Sequence, residues 1–227
     1  CEERESHKEA AGFSLHARIR SGWLRPAANV LLAEVTLDVG QGVLFALAEG
    51  NYKDEGGAVA AAIVVAELGT RFQGSVRWAE STDRLRAAFL QAHARIRRIS
   101  RDAAPLDDGV VFDTMMGPRK DLRDIGSSAT AVVVNPSGDA IVAHVGDSRA
   151  YLLRDGSCSQ VTTDHTLATA VARGEVKLET PLPPGMAEHI VMQVLGYEGS
   201  APRIDVESLT VTGGGTVVLT SCLARSV

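Results

Sequence analysis

Cysteine is scarce in this chain and never closely paired. Cys1, Cys158 and Cys222 are its only cysteines, they are far apart, and no CxxC occurs. That excludes a disulfide framework and a cysteine-based zinc module, and a reducing, cytoplasmic setting is the expectation. No apolar run reaches the ~18 residues that a spanning helix needs, so no membrane span is expected. A basic excess is missing too. Lys and Arg total 23 against 28 Asp and Glu, a formal net charge of −5. Nucleic-acid-binding domains are usually basic, so no nucleic acid is expected as partner. There is no internal repeat, no low-complexity stretch and no linker that demands two domains. The first residue is Cys and not Met, which reads as a processed product or a fragment.

What remains is ordinary globular material: 227 residues, 45% hydrophobic and 22% charged, enough for a real core. Residues 1–12 are polar and read as a disordered tail ahead of a single domain over 13–227. Phe13, Leu15, Ala17 and Ile19 alternate with polar residues, the period of a half-buried strand. Apolar runs at 30–37 and 43–48 flank a Gly-containing turn, a hairpin signal. Residues 56–72 are apolar nearly all round, which predicts a buried helix lying on a sheet.

A second helix is expected after an N-cap among Ser81, Thr82 and Asp83. Leu85, Ala88, Phe89, Ala92, Ile96 and Ile99 line one of its faces. Arg84, Arg86, Arg95, Arg97 and Arg98 fill the other, which reads as a solvated face. Residues 102–124 lack periodicity and read as a long loop. Strands are expected at 129–134, 140–145 and 149–153, then a short helix capped by Asp164 and running to about 173. Further strands are expected at 191–194, 204–211 and 216–220. This order argues an α+β fold with helices covering a sheet or sandwich.

Three stretches carry more than periodicity. They are Gly126-Ser127-Ser128-Ala129-Thr130-Ala131, Val145-Gly146-Asp147-Ser148-Arg149-Ala150-Tyr151 and Val161-Thr162-Thr163-Asp164-His165. Together they resemble the core of the metal-dependent Ser/Thr protein phosphatases of type 2C (the PPM family), with its G-S/T-T-A strand, V-G-D-S-R-A strand and L-T-x-D-H step. Gly22-Trp23-Leu24-Arg25, Leu44 through Gly50, Gln193-Val194-Leu195-Gly196 and Val218 through Ala224 resemble the family's flanking segments in the right order. The resemblance covers roughly Phe13 to Val227. It implies a β-sandwich of two mostly antiparallel sheets flanked by helices, in α-β-β-α layers. The family's last helix and final Asp-Asn strand would fall beyond Val227, so the domain is expected to be C-terminally short.

The resemblance also implies chemistry. Two Mg²⁺ or Mn²⁺ ions would activate a water for attack on phosphorus, held by convergent carboxylates, while an Arg grips the phosphate. Arg25 matches that Arg. Glu49, Gly50 and Asp147 are the candidate metal positions. Several expected carboxylates are replaced. Asn29-Val30 stand where the family has Glu-Asp, Glu49 replaces an Asp, Lys53 enters the loop behind it, and Ser221-Cys222-Leu223 replaces Ser-Asp-Gly-Leu.

The resulting expectation is a pseudophosphatase acting as a regulatory or protein-binding module. Mn²⁺ or Mg²⁺ would be a cofactor only of an active chain, and the partner would be a phosphoprotein or a kinase-pathway protein. The alternative is an active, divergent Mn/Mg-dependent phosphoserine/phosphothreonine phosphatase using Glu49, Asp147 and Asp54 or Glu55. No sequence feature sets an oligomeric state. Arg149 is expected as an ion-pair partner, His144 as a satisfied core histidine, His165 as a turn or cap residue, and Cys222 as buried and inert.

Overall fold

The computed structural model describes residues 2–10, 13–21, 32–38, 42–50, 55–73, 76–102, 125–199, 201–211 and 215–221, the first three stretches as strand backbone only. Three antiparallel sheets are present among these residues. β1 (Glu2–Ala10) pairs with β2 (Phe13–Ser21) in a two-stranded sheet. The residues read from their polarity as a tail therefore include a strand. The register sets Glu3 opposite Arg20 and Glu5 opposite Arg18.

The main sheet has five strands in the order β3-β4-β5-β6-β9: β3 (Leu32–Asp38), β4 (Val43–Gly50), β5 (Ser127–Val134), β6 (Asp139–Val145) and β9 (Asp205–Thr210). A three-stranded sheet has the order β10-β7-β8, from β7 (Arg149–Arg154), β8 (Ser157–Gln160) and β10 (Thr216–Thr220). The α+β sandwich of antiparallel sheets with helices is thus the observed architecture.

Every residue of β5 is buried, because each face of the main sheet is covered. Ala129, Ala131 and Val133 on β5, with Ile141, Ala143 and Val145 on β6, face α1 (Glu55–Arg71) and α2 (Ser81–Asp102). Leu68, Phe72, Leu85, Phe89 and Ile96 come from the helical side of that core. On the opposite face Val132, Val134, Ala140 and Val142 pack with Ala150, Leu152, Val217 and Leu219 of the smaller sheet. The period-two alternation of a strand assigns neighbouring residues to separate cores.

Four expectations change at element ends. Ser81 is not an N-cap. A one-turn 3-10 helix (Trp78–Glu80) precedes it, and Ser81 is already helical at φ −60°, ψ −40°. Glu80 holds that turn by bonding Arg77 and Arg84. The helix after the D-H step, α3 (Leu167–Ala172), is capped by Thr166, whose side chain accepts the Thr169 amide. Asp164 is unavailable as a cap because Arg149 occupies its carboxylate. The strand expected at 191–194 reduces to isolated bridges, Thr166 to Val191 and Ser127 to Leu195. A one-turn helix, α4 (Met186–His189), and the edge strand β8 were not anticipated. All four residues of β8 are exposed, so no apolar alternation marks it. The loop expected at 102–124 lies, from residue 103 on, outside the described residues.

Candidate functional site

Sheet register brings the motif residues to one end of the main sheet. Glu49 pairs with Ser128 and Gly50 with Ser127 across β4 and β5. Ala129 pairs with Val145 across β5 and β6, so Gly146 and Asp147 leave β6 beside Ser128. Gly146 lies at φ +106°, and a Cβ there would sit 2.2 Å from the Ser128 Cβ. A glycine is required on both counts. Gly50 is constrained by packing instead, since a Cβ would stand 2.2 Å from the backbone of Gly57 in the first turns of α1.

The Glu49 carbonyl draws the Ser127 hydroxyl at 3.1 Å and the Ser128 hydroxyl at 3.4 Å. Both acidic residues are buried, Glu49 at 4% and Asp147 at 6% exposure. Of the other candidates, Arg25, Asn29, Val30, Lys53, Asp54 and Cys222 lie outside the described residues, as does the side chain of Glu55. Among the described residues, no group of three His, Cys, Asp or Glu side chains is placed to hold a metal ion.

Behind this strand end runs a buried polar chain that motif reading did not reveal. Thr130 Oγ1 lies 2.7 Å from Ser148 Oγ and 2.9 Å from His144 Nδ1. His144 Nε2 lies 3.0 Å from the Gly146 carbonyl. The Gly146 amide donates to His165 Nδ1 at 3.2 Å, and His165 Nε2 reaches Asp205 Oδ2 at 3.1 Å.

Donor–acceptor accounting fixes the tautomers. A carbonyl only accepts, so His144 carries its proton on Nε2. In the neutral ring that burial favours, its Nδ1 accepts from the Thr130 hydroxyl, which also lies 3.3 Å from the Ser148 carbonyl. An amide only donates, so His165 Nδ1 is bare and Nε2–H donates to Asp205. The His165 ring is therefore neutral. Burial pushes His144 down to about 4, with neighbouring His165 adding to the depression. Burial also lowers His165, outweighing the pull of Asp205. Burial alone would raise Asp205, but the hydrogen bonds from His165 and Arg203 outweigh it and hold the carboxyl below its ordinary value. His144 is thus the satisfied core histidine expected, whereas His165 is a buried bridge and not a cap. Asp205 stands 40 positions from His165, and no local spacing signals that pairing.

Arg149 is an ion-pair partner as expected. Its Nε lies 2.9 Å from Asp164 Oδ1 and its Nη2 2.6 Å from Oδ2, a fork on one carboxylate. Nη1 donates to the Tyr151 hydroxyl at 3.0 Å. These hydrogen bonds, led by that with Asp164, raise the guanidinium pKa further. A cavity of about 290 Å³ opens beside the pair, lined by Arg149, Gln160, Thr163, Thr166, Thr169 and Glu188. Its cation is already neutralised by Asp164, so it offers hydroxyls and no free positive charge.

Comparison with known proteins gives this geometry its context. The family described as Protein phosphatase 2C matches residues 50–171. The Serine/threonine phosphatase stp of Listeria welshimeri is 32% identical over 103 residues, covering 45% of this chain and 39% of that protein. The Serine/threonine protein phosphatase PstP of Mycobacterium tuberculosis is 35% identical over 79 residues, covering 34% of this chain and 15% of that protein. The alignments thus span less than half the length of these curated relatives.

Among solved structures, the S. agalactiae serine/threonine phosphatase superposes with a TM-score of 0.66 at 19% identity, covering 96% of this chain and 78% of that one. The catalytic domain of PstP in complex with 2 manganese ions gives 0.58 at 22% identity, covering 95% and 76%. At these identities the superpositions establish the fold alone.

Proposed function

Because the chain belongs to the protein phosphatase 2C family, we propose that it acts as a pseudophosphatase, a regulatory module that recognises phosphoserine- or phosphothreonine-bearing protein segments without hydrolysing them. The observation that carries this reading is the donor set at the strand end. A two-cation centre needs several convergent oxygen ligands, mostly carboxylates. Here Glu49 and Asp147 are buried, and no group of three suitable side chains is placed for a metal among the described residues.

The sequence deepens the deficit, with Asn29-Val30 and Ser221-Cys222 at positions where the family carries carboxylates. Glu49 keeps a charge but reaches one methylene further than Asp. Displacing a reacting group by about 1 Å costs on the order of 10²-fold in rate. On this reading the donors among the described residues do not fit a two-metal centre. Arg25 remains the candidate for gripping a phosphate. The partner in this reading is a phosphoprotein or a kinase-pathway protein met in the cytoplasm.

The alternative, an active divergent Mn²⁺- or Mg²⁺-dependent phosphatase, is favoured by the names of the bacterial relatives. Calorimetry with a phosphothreonine peptide and its unphosphorylated twin, with phosphate release followed in the presence of Mn²⁺, separates the two. Preferential binding of the phosphopeptide without release supports the pseudophosphatase. Release that vanishes in Glu49→Ala establishes the enzyme.

A further inference from the structure

Helix α2 concentrates positive charge on a chain that is acidic overall. It carries six arginines against Asp83 and Asp102, while the whole chain stands at −5. Three of the arginines are tied into the fold. Arg84 bonds Glu80 at 3.0 Å and the Arg71 carbonyl at 2.8 Å, Arg86 bonds the Ile204 carbonyl at 3.2 Å, and Arg95 bonds Glu67 at 2.9 Å.

The other three, Arg97, Arg98 and Arg101, stand in the last two turns and bond no acceptor among the described residues. Arg97 Nε is closed off from solvent with no acceptor. Arg98 and Arg101 are exposed.

A helix C-terminus favours cations, which accounts for some positive charge here. It does not account for the arrangement. Arg97 and Arg101 are spaced i,i+4 and Arg98 and Arg101 i,i+3, positions where like charges repel. A buried N–H without an acceptor is unfavourable as well. Among the described residues these features meet no compensating anion, which an arriving anionic group would supply.

The same face offers an apolar contact. Leu90 is 44% exposed and lies seven, eight and eleven residues before Arg97, Arg98 and Arg101, on one side of the helix and about 16 Å long from end to end.

We propose that this face of α2 docks an acidic segment of a partner polypeptide, its Asp and Glu side chains meeting Arg97, Arg98 and Arg101 and an apolar residue covering Leu90. Guanidinium forks suit paired carboxylate oxygens. A polypeptide fits better than a nucleic acid. Phe89, the one Phe, Tyr or Trp of α2, is fully buried, leaving the helix nothing on which an unpaired base would stack, whereas a polypeptide can bring an apolar side chain to Leu90. The proposed surface shares no residue with the strand end, so the proposal holds whether or not the strand end hydrolyses phosphate.

The test is fluorescence anisotropy on the full chain, with a labelled peptide of roughly a dozen Asp and Glu residues around a central Leu. Saturable binding that weakens with salt is expected. Arg98→Glu/Arg101→Glu should weaken it about tenfold or more, Leu90→Ser should weaken it less, and Arg98→Lys/Arg101→Lys should fall in between. If circular dichroism shows the reversal variant unfolded, Arg98→Gln/Arg101→Gln replaces it, with a loss of about threefold expected. An unchanged affinity in the folded variant overturns the proposal, as does the absence of saturable binding. So does equal, arginine-dependent binding of duplex DNA or of phosphatidylserine vesicles.

Discussion

His165 grips Gly146 from two sides: its Nδ1 accepts the Gly146 amide at 3.2 Å, and its own amide donates to the Gly146 carbonyl at 2.7 Å. His144 Nε2 adds a second donor to that carbonyl at 3.0 Å. The turn that projects Asp147 is therefore fixed by two histidines, one on β6 and one on the step before α3. Removing either ring leaves a buried backbone group short of a partner. Such a group costs about 1–3 kcal/mol.

His165→Ala should accordingly destabilise the fold by about 2 kcal/mol in urea unfolding. It should also speed hydrogen exchange at the Gly146 amide. His165→Asn, which keeps a side-chain acceptor, should recover part of both. Unchanged exchange at Gly146 would contradict the bridging role.

Stability should fall on acidification. The folded-state pKa of His144 is depressed to about 4, below the unfolded value near 6.5. Its contribution is therefore fully present above about pH 6.5 and is lost as pH falls toward 4, because only the unfolded chain takes up the proton. The loss over that window is about 3 kcal/mol. The depressed His165 acts in the same direction. Below it, protonation of Asp205, also depressed, continues the decline. Urea unfolding at stepped pH should show this slope, and His144→Gln should flatten it between pH 4 and 6.5.

Gly146→Ala should be among the most damaging single substitutions. The added Cβ meets the Ser128 Cβ at 2.2 Å and the residue must also hold φ +106°. Steric overlap and backbone strain together cost about 3 kcal/mol. Ser128→Gly in the same chain should relieve the overlap but not the strain, so thermal unfolding should recover only in part.

The Arg149–Asp164 fork should not tolerate the conservative swap. Arg149→Lys keeps the charge but cannot bond both carboxylate oxygens. A loss of about 1–2 kcal/mol is expected, read as a lowered thermal midpoint. Full stability in the Lys variant would show that charge alone matters there.

The sequence made legible whatever local periodicity or a contiguous motif encodes. The dense apolar runs at 129–134 and 140–145, joined by a turn, marked the central strands, and the apolar run at 56–72 marked α1. Element ends were less legible. The cap of α3 depended on which of two nearby residues had its side chain free, and Arg149 removes Asp164 from that role. β1 was missed because its residues are polar and the strand it pairs with lies elsewhere in the sequence. The buried chain from Ser148 to Asp205 was invisible for a similar reason. Thr130, His144, His165 and Asp205 sit on separate elements, and only sheet register brings them together.

The most direct measurement is calorimetric titration of the metal-stripped chain with Mn²⁺, with p-nitrophenyl phosphate hydrolysis assayed on the same samples. The pseudophosphatase reading predicts no binding heat above background and no turnover, in the native chain and in Glu49→Ala alike. Stoichiometric Mn²⁺ binding with turnover that Glu49→Ala abolishes would contradict it and establish an active, divergent metal-dependent phosphatase.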